Sequence, residues 1–298
     1  MDRSLYGRLI QFEASDKVNL EGFLSEPNGR RKGVIIHIHG LNGNFHRNTL
    51  FWELAELYNK NGYALLSINT RGSDIVQRLQ KKKGKKVEKF LAGTAFERFE
   101  QCVYDIEGAI RYCKKQGYQN IILQGSSTGC QKSVYYQSKR RDRRVKALVL
   151  LAPGDDLNIW KQQRLGNKFK DSLKVAKKLA QKKELEKTIM PYKYCQGIIG
   201  ADRFLSFSDE KRVEAEIFDY HSGKFSLFRK IKTPMVAFFG DQEENAVLPV
   251  QTYLSMLQEA SNSKKFATYI IEGGNHGFSG KEKELGKTVL NWLNGLRF

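Results

Sequence analysis

The spacing of hydrophobic positions changes several times along the chain, and each change marks an element. Two β-rich stretches, Leu5 to Phe12 and Val18 to Leu24, flank the turn-forming Ala14-Ser15-Asp16-Lys17, which predicts an opening antiparallel hairpin. Gly33-Val34-Ile35-Ile36-His37-Ile38 is then a short apolar run rich in β-branched residues. From Asn48 to Tyr58, Leu50, Phe51, Leu54, Leu57 and Tyr58 recur at helical spacing. The alternation continues with a strand over Tyr63 to Ile68, a helix around Phe96 to Cys113, a strand over Asn120 to Leu123, a helix from Gly129 to about Gln137, and a strand over Val145 to Leu151. Buried strands separated by helices predict parallel pairing, because a parallel connection needs a crossover of a dozen or more residues.

The alternation breaks between about Pro153 and Ile231, where the chain becomes basic and helical and Phe169, Leu173, Ala176, Leu179 and Ala180 form one apolar face. This segment reads as an inserted, mostly helical lid. The core pattern resumes with a strand over Met235 to Phe239, a helix from about Val250 to Glu259, a strand over Phe266 to Ile271 and a closing helix from about Lys281 to Leu293. The expected organisation is one α/β core over 1–152 and 232–298, with a cap over 153–231. No internal repeat or low-complexity linker divides it further.

Composition narrows the class. With 298 residues and 40% hydrophobic content the chain can bury one large core. No run approaches the roughly 18 apolar residues of a membrane-spanning helix, and MDRSLYGRLI lacks the apolar stretch of a signal peptide, so a soluble cytoplasmic protein without membrane insertion is expected. Cys102, Cys113, Cys130 and Cys195 lie far apart with no C-x-x-C pair, which argues against a zinc knuckle, a redox motif or a structural disulfide. The net charge of +19, from 51 Lys and Arg against 32 Asp and Glu, invites a nucleic-acid reading. Much of the excess, however, sits in short runs, Lys81-Lys82-Lys83-Gly84-Lys85-Lys86 and Lys139-Arg140-Arg141-Asp142-Arg143-Arg144, without interleaved aromatics to stack on bases. They read as solvated loops and helix ends, and no nucleic-acid partner is expected.

The sharpest chemical signal is Gly125-Ser126-Ser127-Thr128-Gly129, a G-x-S-x-G pentapeptide between a predicted strand and a predicted helix. There the glycines permit a tight, strained turn that exposes the Ser127 hydroxyl at the carboxyl edge of the sheet. A serine is a weak nucleophile, so it needs a histidine within hydrogen-bond reach and a carboxylate to orient that histidine. Of the five histidines only His221 and His276 follow Ser127; His221 falls in the expected cap, whereas His276 follows the last strand in Gly273-Gly274-Asn275-His276-Gly277. After the penultimate strand, Gly240-Asp241-Gln242-Glu243-Glu244 offers three carboxylates. The usual spacing in the fold that this elbow resembles, an acid three residues beyond the strand-ending glycine, selects Glu243, with Asp241 and Glu244 as alternatives. His39-Gly40-Leu41-Asn42-Gly43, directly after the strand Val34 to Ile38, fits a turn that supplies an oxyanion hole from the amides of Leu41 and Thr128. His37 and His39 form an H-x-H pair, but no third ligand with sensible spacing accompanies them, so neither metal nor cofactor is expected.

At these residues the chain resembles an α/β-hydrolase, and within that superfamily an esterase-like branch that includes fungal siderophore esterases and archaeal relatives. Ser127-Thr128-Gly129-Cys130-Gln131 resembles the branch's elbow, Ala201-Asp202-Arg203-Phe204-Leu205-Ser206 a segment near the end of its lid, and Gly240 to Val247 its acid loop. The branch usually has histidine where this chain has Ser126, and aspartate where it has Glu243. The resemblance implies an α/β-hydrolase fold, a mostly parallel sheet with helices on both faces and an inserted lid. It also implies a serine hydrolase acting on a small-molecule carboxylic ester. An amidase, peptidase or acyltransferase using the same residues, and a non-catalytic binding protein of the same fold, are the alternatives.

Overall fold

The computed structural model, which describes residues 5–296 apart from 48 and 183, opens with the antiparallel hairpin of β1 (Arg8–Glu13) and β2 (Asn19–Ser25). Strand-helix units follow: β3 (Gly33–Ile38), α1 (Thr49–Lys60), β4 (Tyr63–Ile68), a small hairpin of β5 (Gln77–Lys83) and β6 (Lys86–Ala92), α2 (Cys102–Lys115), β7 (Ile121–Ser126), α3 (Thr128–Arg140) and β8 (Val145–Leu151). After an insertion the core closes with β9 (Met235–Gly240), a helix over Val250–Ala260, β10 (Phe266–Ile271) and a helix over Glu282–Asn294.

Eight strands form one sheet in the order β1-β2-β4-β3-β7-β8-β9-β10, antiparallel at β1-β2 and β2-β4 and parallel from β4 onward. Every residue of β3, β4, β7 and β9 is buried, which is why these strands are mostly apolar instead of alternating, with the polar His37 and Gln124 bonded to each other. Helices pack around the sheet, α1 against the closing helix and α2 against α3. Among the described residues no helix is long and apolar enough to cross a membrane.

Two expectations need correction. The lysine run Lys81 to Lys86 is not a loop: Lys81, Lys82 and Lys83 lie in β5, Lys86 lies in β6, and Gly84, at φ +60°, makes the turn. Backbone pairing, Lys82 N to Lys17 O at 3.0 Å, ion pairs from Lys81 to Asp16 and Lys82 to Glu13, and the cross-strand pair Leu79 and Phe90 packed against the main core hold this hairpin. The helix expected from Phe96 begins properly only at Cys102, because Gly93 (φ 92°) and the bonds Ala95 N to Ile75 O and Phe96 N to Gly93 O keep the chain in a turn.

Between β8 and β9 lie α4 (Asp156–Asn158), a π-helical turn over Ile159–Arg164, α5 (Phe169–Leu179), α6 (Tyr192–Cys195), α7 (Ala201–Ser208) and α8 (Val213–Ile217). Phe169, Ala176, Phe204, Leu205, Phe207 and Ala215 belong to a hydrophobic cluster of their own, with Leu173, Leu179 and Ala180 packed against it. From Ile217 to Ile231 the apolar side chains return to the main core; Tyr220, for example, is buried there and donates to Pro153 O at 2.9 Å. The two remaining helices are α9 (Val250–Ala260) and α10 (Glu282–Asn294).

Candidate active site

β7 ends at Ser126 and α3 begins at Thr128, so Ser127 must reverse the chain by itself. It does so at φ 53° and ψ −126°, a region that non-glycine residues avoid at a cost of about 1–3 kcal/mol. The turn is held from both sides by Ser127 N to Leu151 O at 2.9 Å and Cys130 N to Ser127 O at 2.8 Å. Its closeness explains the flanking glycines. A Cβ on Gly125 would lie 2.3 Å from Gly129 O, and one on Gly129 would lie 2.1 Å from Ile38 O. Gly40 is packed under the serine itself, where a Cβ would meet the Ser127 Cβ at 2.8 Å.

The loop after β10 carries His276 to this turn. Its Nε2 lies 2.9 Å from Ser127 Oγ, and its Nδ1 lies 2.7 Å from Glu243 Oε1. A carboxylate can only accept, so the proton of the neutral imidazole sits on Nδ1 and Nε2 is left to accept from the Ser127 hydroxyl. Of the three candidate carboxylates, only Glu243 turns inward, its side chain 2% exposed. Asn245 N donates to the same Oε1 at 3.1 Å and fixes it. Asp241 is exposed, and Glu244 instead accepts the backbone N–H of His276 at 2.9 Å. Burial alone would push the His276 pKa down; its bond to Glu243 and the charges of Glu243, Glu244 and Asp156 outweigh this and raise it above 6.5.

Leu41 and Thr128 line the same cavity of about 440 Å³ as Ser127 and His276. Thr128 is the first residue of α3, so its amide belongs to the first turn, where N–H groups have no intrahelical acceptor and the helix dipole favours negative charge. A larger groove of about 1060 Å³, around Glu26, Trp52 and Lys60, contains none of these residues.

The turn that carries Leu41 rests on a buried polar chain. His39, its pKa pushed down to about 3 by burial and the Lys132 charge, is neutral. Its Nε2 accepts from Thr70 N at 3.2 Å and faces Thr70 Oγ1 at 3.1 Å, which leaves Nδ1 to donate to Gly40 O at 2.8 Å. Lys132 donates to Thr70 Oγ1 at 3.2 Å and to Glu97 at 2.9 Å, and Glu97 in turn meets Arg203 of α7 at 3.2 Å. Arg203 also pairs with Glu214 at 2.8 Å, so the helices between β8 and β9, the helix after Ser127 and the turn after β3 share one buried network. His37, pushed down to about 4 by burial, accepts from Gln124 Nε2 at 3.1 Å, and Tyr58 donates to the same amide's oxygen at 2.7 Å. The four cysteines are buried free thiols.

The structure therefore brings Ser127, His276, Glu243, Leu41 and Thr128 together and turns the alternative acid Asp241 away from them. Sequence reasoning missed the network through Lys132, Glu97 and Arg203, because buried charges carry no mark that distinguishes them from surface ones. It also missed Asp156, Trp160 and Arg164, which line the cavity from α4 and the π-helical turn.

A family of proteins of unknown function, DUF1749, matches residues 93–294. No curated protein matches the chain. Among solved structures, the siderophore hydrolase EstB from Aspergillus fumigatus superposes with a TM-score of 0.72 at 16% identity, covering 98% of each chain. A soluble variant of monoglyceride lipase from Saccharomyces cerevisiae gives 0.68 at 12% identity, covering 99% of this chain and 97% of its own. Est1E from Butyrivibrio proteoclasticus, solved with ferulic acid, gives 0.63 at 18% identity, covering 95% and 98%. The strand order, the turn at Ser127 and these matches make the chain a member of the DUF1749 family with the α/β-hydrolase fold.

Proposed function

We propose that this protein is a serine hydrolase that cleaves carboxylic esters of small molecules. The observation that carries the reading is the unbroken relay from Glu243 through His276 to Ser127, with contacts of 2.7 and 2.9 Å, at a strained turn that opens on a cavity. Ser127 Oγ attacks the ester carbonyl carbon while His276 Nε2 takes its proton. Glu243 holds the Nδ1–H tautomer and stabilises the imidazolium that forms. The carbonyl oxygen becomes an oxyanion and accepts from the amides of Leu41 and Thr128, donors worth about 3 kcal/mol each in such sites. The imidazolium then gives its proton to the departing alkoxide, leaving an acyl group on Ser127. A water deprotonated by His276 attacks that acyl-enzyme, and its collapse releases the acid and restores the serine.

The relay consists of side chains alone, and these steps need no metal or cofactor. The inserted helices, 153–231, act in this reading as a lid over the cavity, since Ile159, Trp160 and Arg164 form part of its wall. By name EstB is a siderophore hydrolase and the yeast protein a monoglyceride lipase, which supports the choice of an ester. Covalent labelling with a fluorophosphonate tests the proposal: wild type should be labelled at Ser127 and Ser127→Ala should not. Equal labelling of both, or of neither, contradicts it.

A further inference from the structure

Asp156 is a carboxyl group in the wall of the cavity that the relay does not use. It stands at the start of α4, directly after the strand β8 that flanks the strand of the nucleophile, and lines the cavity together with Ser127 and His276. Its position is fixed from the nucleophile's own helix. Gln131, one helical turn beyond Ser127, donates from Nε2 to Asp156 Oδ2 at 2.8 Å, and the same amide donates to Gly154 O at 3.1 Å. Asp156 is thus held rigidly by a neutral partner.

What it lacks is an ion-pair partner. Among the described residues no lysine or arginine forms an ion pair with Asp156. The buried cations nearby are engaged elsewhere, Arg203 with Glu97 and Glu214, and Lys132 with Glu97. Arg164 also lines the cavity, but it is exposed and donates to Asn245 Oδ1 at 3.1 Å. A carboxylate with no ion-pair partner is costly to bury: burial and the Glu214 and Asp155 charges push its pKa up to about 7, outweighing the more distant charges of Arg203 and His276, which favour its ionised form. Next to a centre where an oxyanion forms, an unpaired negative charge also disfavours that anion. A positive charge on the substrate removes both penalties at once.

We propose that Asp156 anchors a protonated amine carried by the ester substrate, close to the bond that is cleaved. This rests on the ester-hydrolase reading above and narrows its substrate class to cationic esters. It sets the cavity apart from the rest of a chain whose net charge is +19. An acidic anchor of this kind selects for amines against the general tendency of a basic protein to attract anions.

Matched substrates test it. 2-(Dimethylamino)ethyl butyrate and 3-methylbutyl butyrate have nearly the same shape and differ in one positive charge on the alcohol side. Methyl 4-(dimethylamino)butanoate and methyl 5-methylhexanoate do the same on the acyl side. Wild type should favour the charged member of at least one pair in kcat/KM. Asp156→Asn should reduce that charged-to-neutral ratio by roughly ten- to a hundredfold, the worth of a charge-assisted hydrogen bond, and Asp156→Glu should restore part of it. The ratio is insensitive to the fraction of folded protein and to any general change at His276. No preference for charge in either pair, or a ratio unchanged by Asp156→Asn, overturns the anchor. The methyl ketone analogues of the acyl-side pair separate this outcome from failure of the ester reading, since their binding needs no turnover and is read by the fluorescence of Trp160 in the cavity wall. Tighter binding of the charged ketone by wild type than by Asp156→Asn upholds the anchor even if no ester is cleaved, and equal binding rejects it.

Discussion

Ser127 Oγ and His276 Nε2 lie 2.9 Å apart although 149 residues separate them in the chain. The contact exists because β7 and β10 belong to one parallel sheet whose strand ends share an edge, and the loops leaving that edge converge. It also exists because Ser127 is held in a conformation it would not adopt freely.

That strain has a measurable consequence. Glycine accepts φ 53° and ψ −126° without the Cβ penalty, so Ser127→Gly should abolish turnover and raise the unfolding free energy by about 1 kcal/mol, after allowing for glycine's greater chain entropy. Urea unfolding of the two proteins checks this. A variant that is less stable than wild type by a similar amount would mean the turn is relaxed.

The pH profile follows from the raised pKa of His276. A general base must be neutral, so kcat/KM should rise with pH through a limb that lies above 6.5. Glu244 contributes to the upward shift, and Glu244→Gln should move the limb to lower pH while leaving the plateau within a few-fold. Glu243→Gln removes the acceptor that fixes the tautomer and should lower the plateau by about 10³-fold or more, whereas Asp241→Asn, at an exposed position, should change little. The raised pKa also means that the folded protein binds this proton more tightly than the unfolded chain. The pair therefore adds stability below pH 6.5 and loses it as pH rises through the raised value.

Buried histidines act in the opposite sense. His37 is depressed to about 4, so the unfolded chain takes up a proton at this residue near 6.5 and the folded one does not until much lower pH. Stability should fall as pH drops from 6.5 toward 4, by up to about 3 kcal/mol from this residue. Unfolding midpoints of wild type and His37→Gln over that range should show a shallower slope for the variant.

The network beneath the oxyanion turn makes a separate prediction. Lys132 and Glu97 are 1% and 2% exposed, so Lys132→Met leaves Glu97 to Arg203 alone in a buried site. A loss of about 3–5 kcal/mol in unfolding free energy is expected, and adding Glu97→Gln should return part of it, because the uncompensated charge is the larger cost. Losses that simply add in the double variant would show that the two side chains do not interact.

How much of this was legible in the sequence depends on which force shaped each part. β3, β7, β8 and β9 could be read because a strand buried on both faces is dominated by apolar residues, and the elbow because the clash of a Cβ on Gly125 or Gly129 leaves only glycine. The hairpin β5-β6 could not, since its lysine run looks solvated and only a few apolar side chains, Leu79 and Phe90 among them, join backbone pairing and ion pairs in holding it to the core. Glu243 could be ranked ahead of Asp241 and Glu244 only by the spacing usual to the fold, since as residue types they are equivalent; the turn after β9 points Glu243 inward and the others out. Asp156 was invisible as well, as its meaning lies in its place in the cavity wall and in the lack of an ion-pair partner among the described residues.

Hydrolysis of a p-nitrophenyl ester series from acetate to long acyl chains, by wild type and Ser127→Ala at equal concentration, tests the central claim most directly. The relay of Glu243, His276 and Ser127 predicts turnover of at least one ester by wild type and a fall to background for the alanine variant, with both proteins folded. Turnover that survives the loss of the Ser127 hydroxyl, or none by wild type across the series, would contradict it.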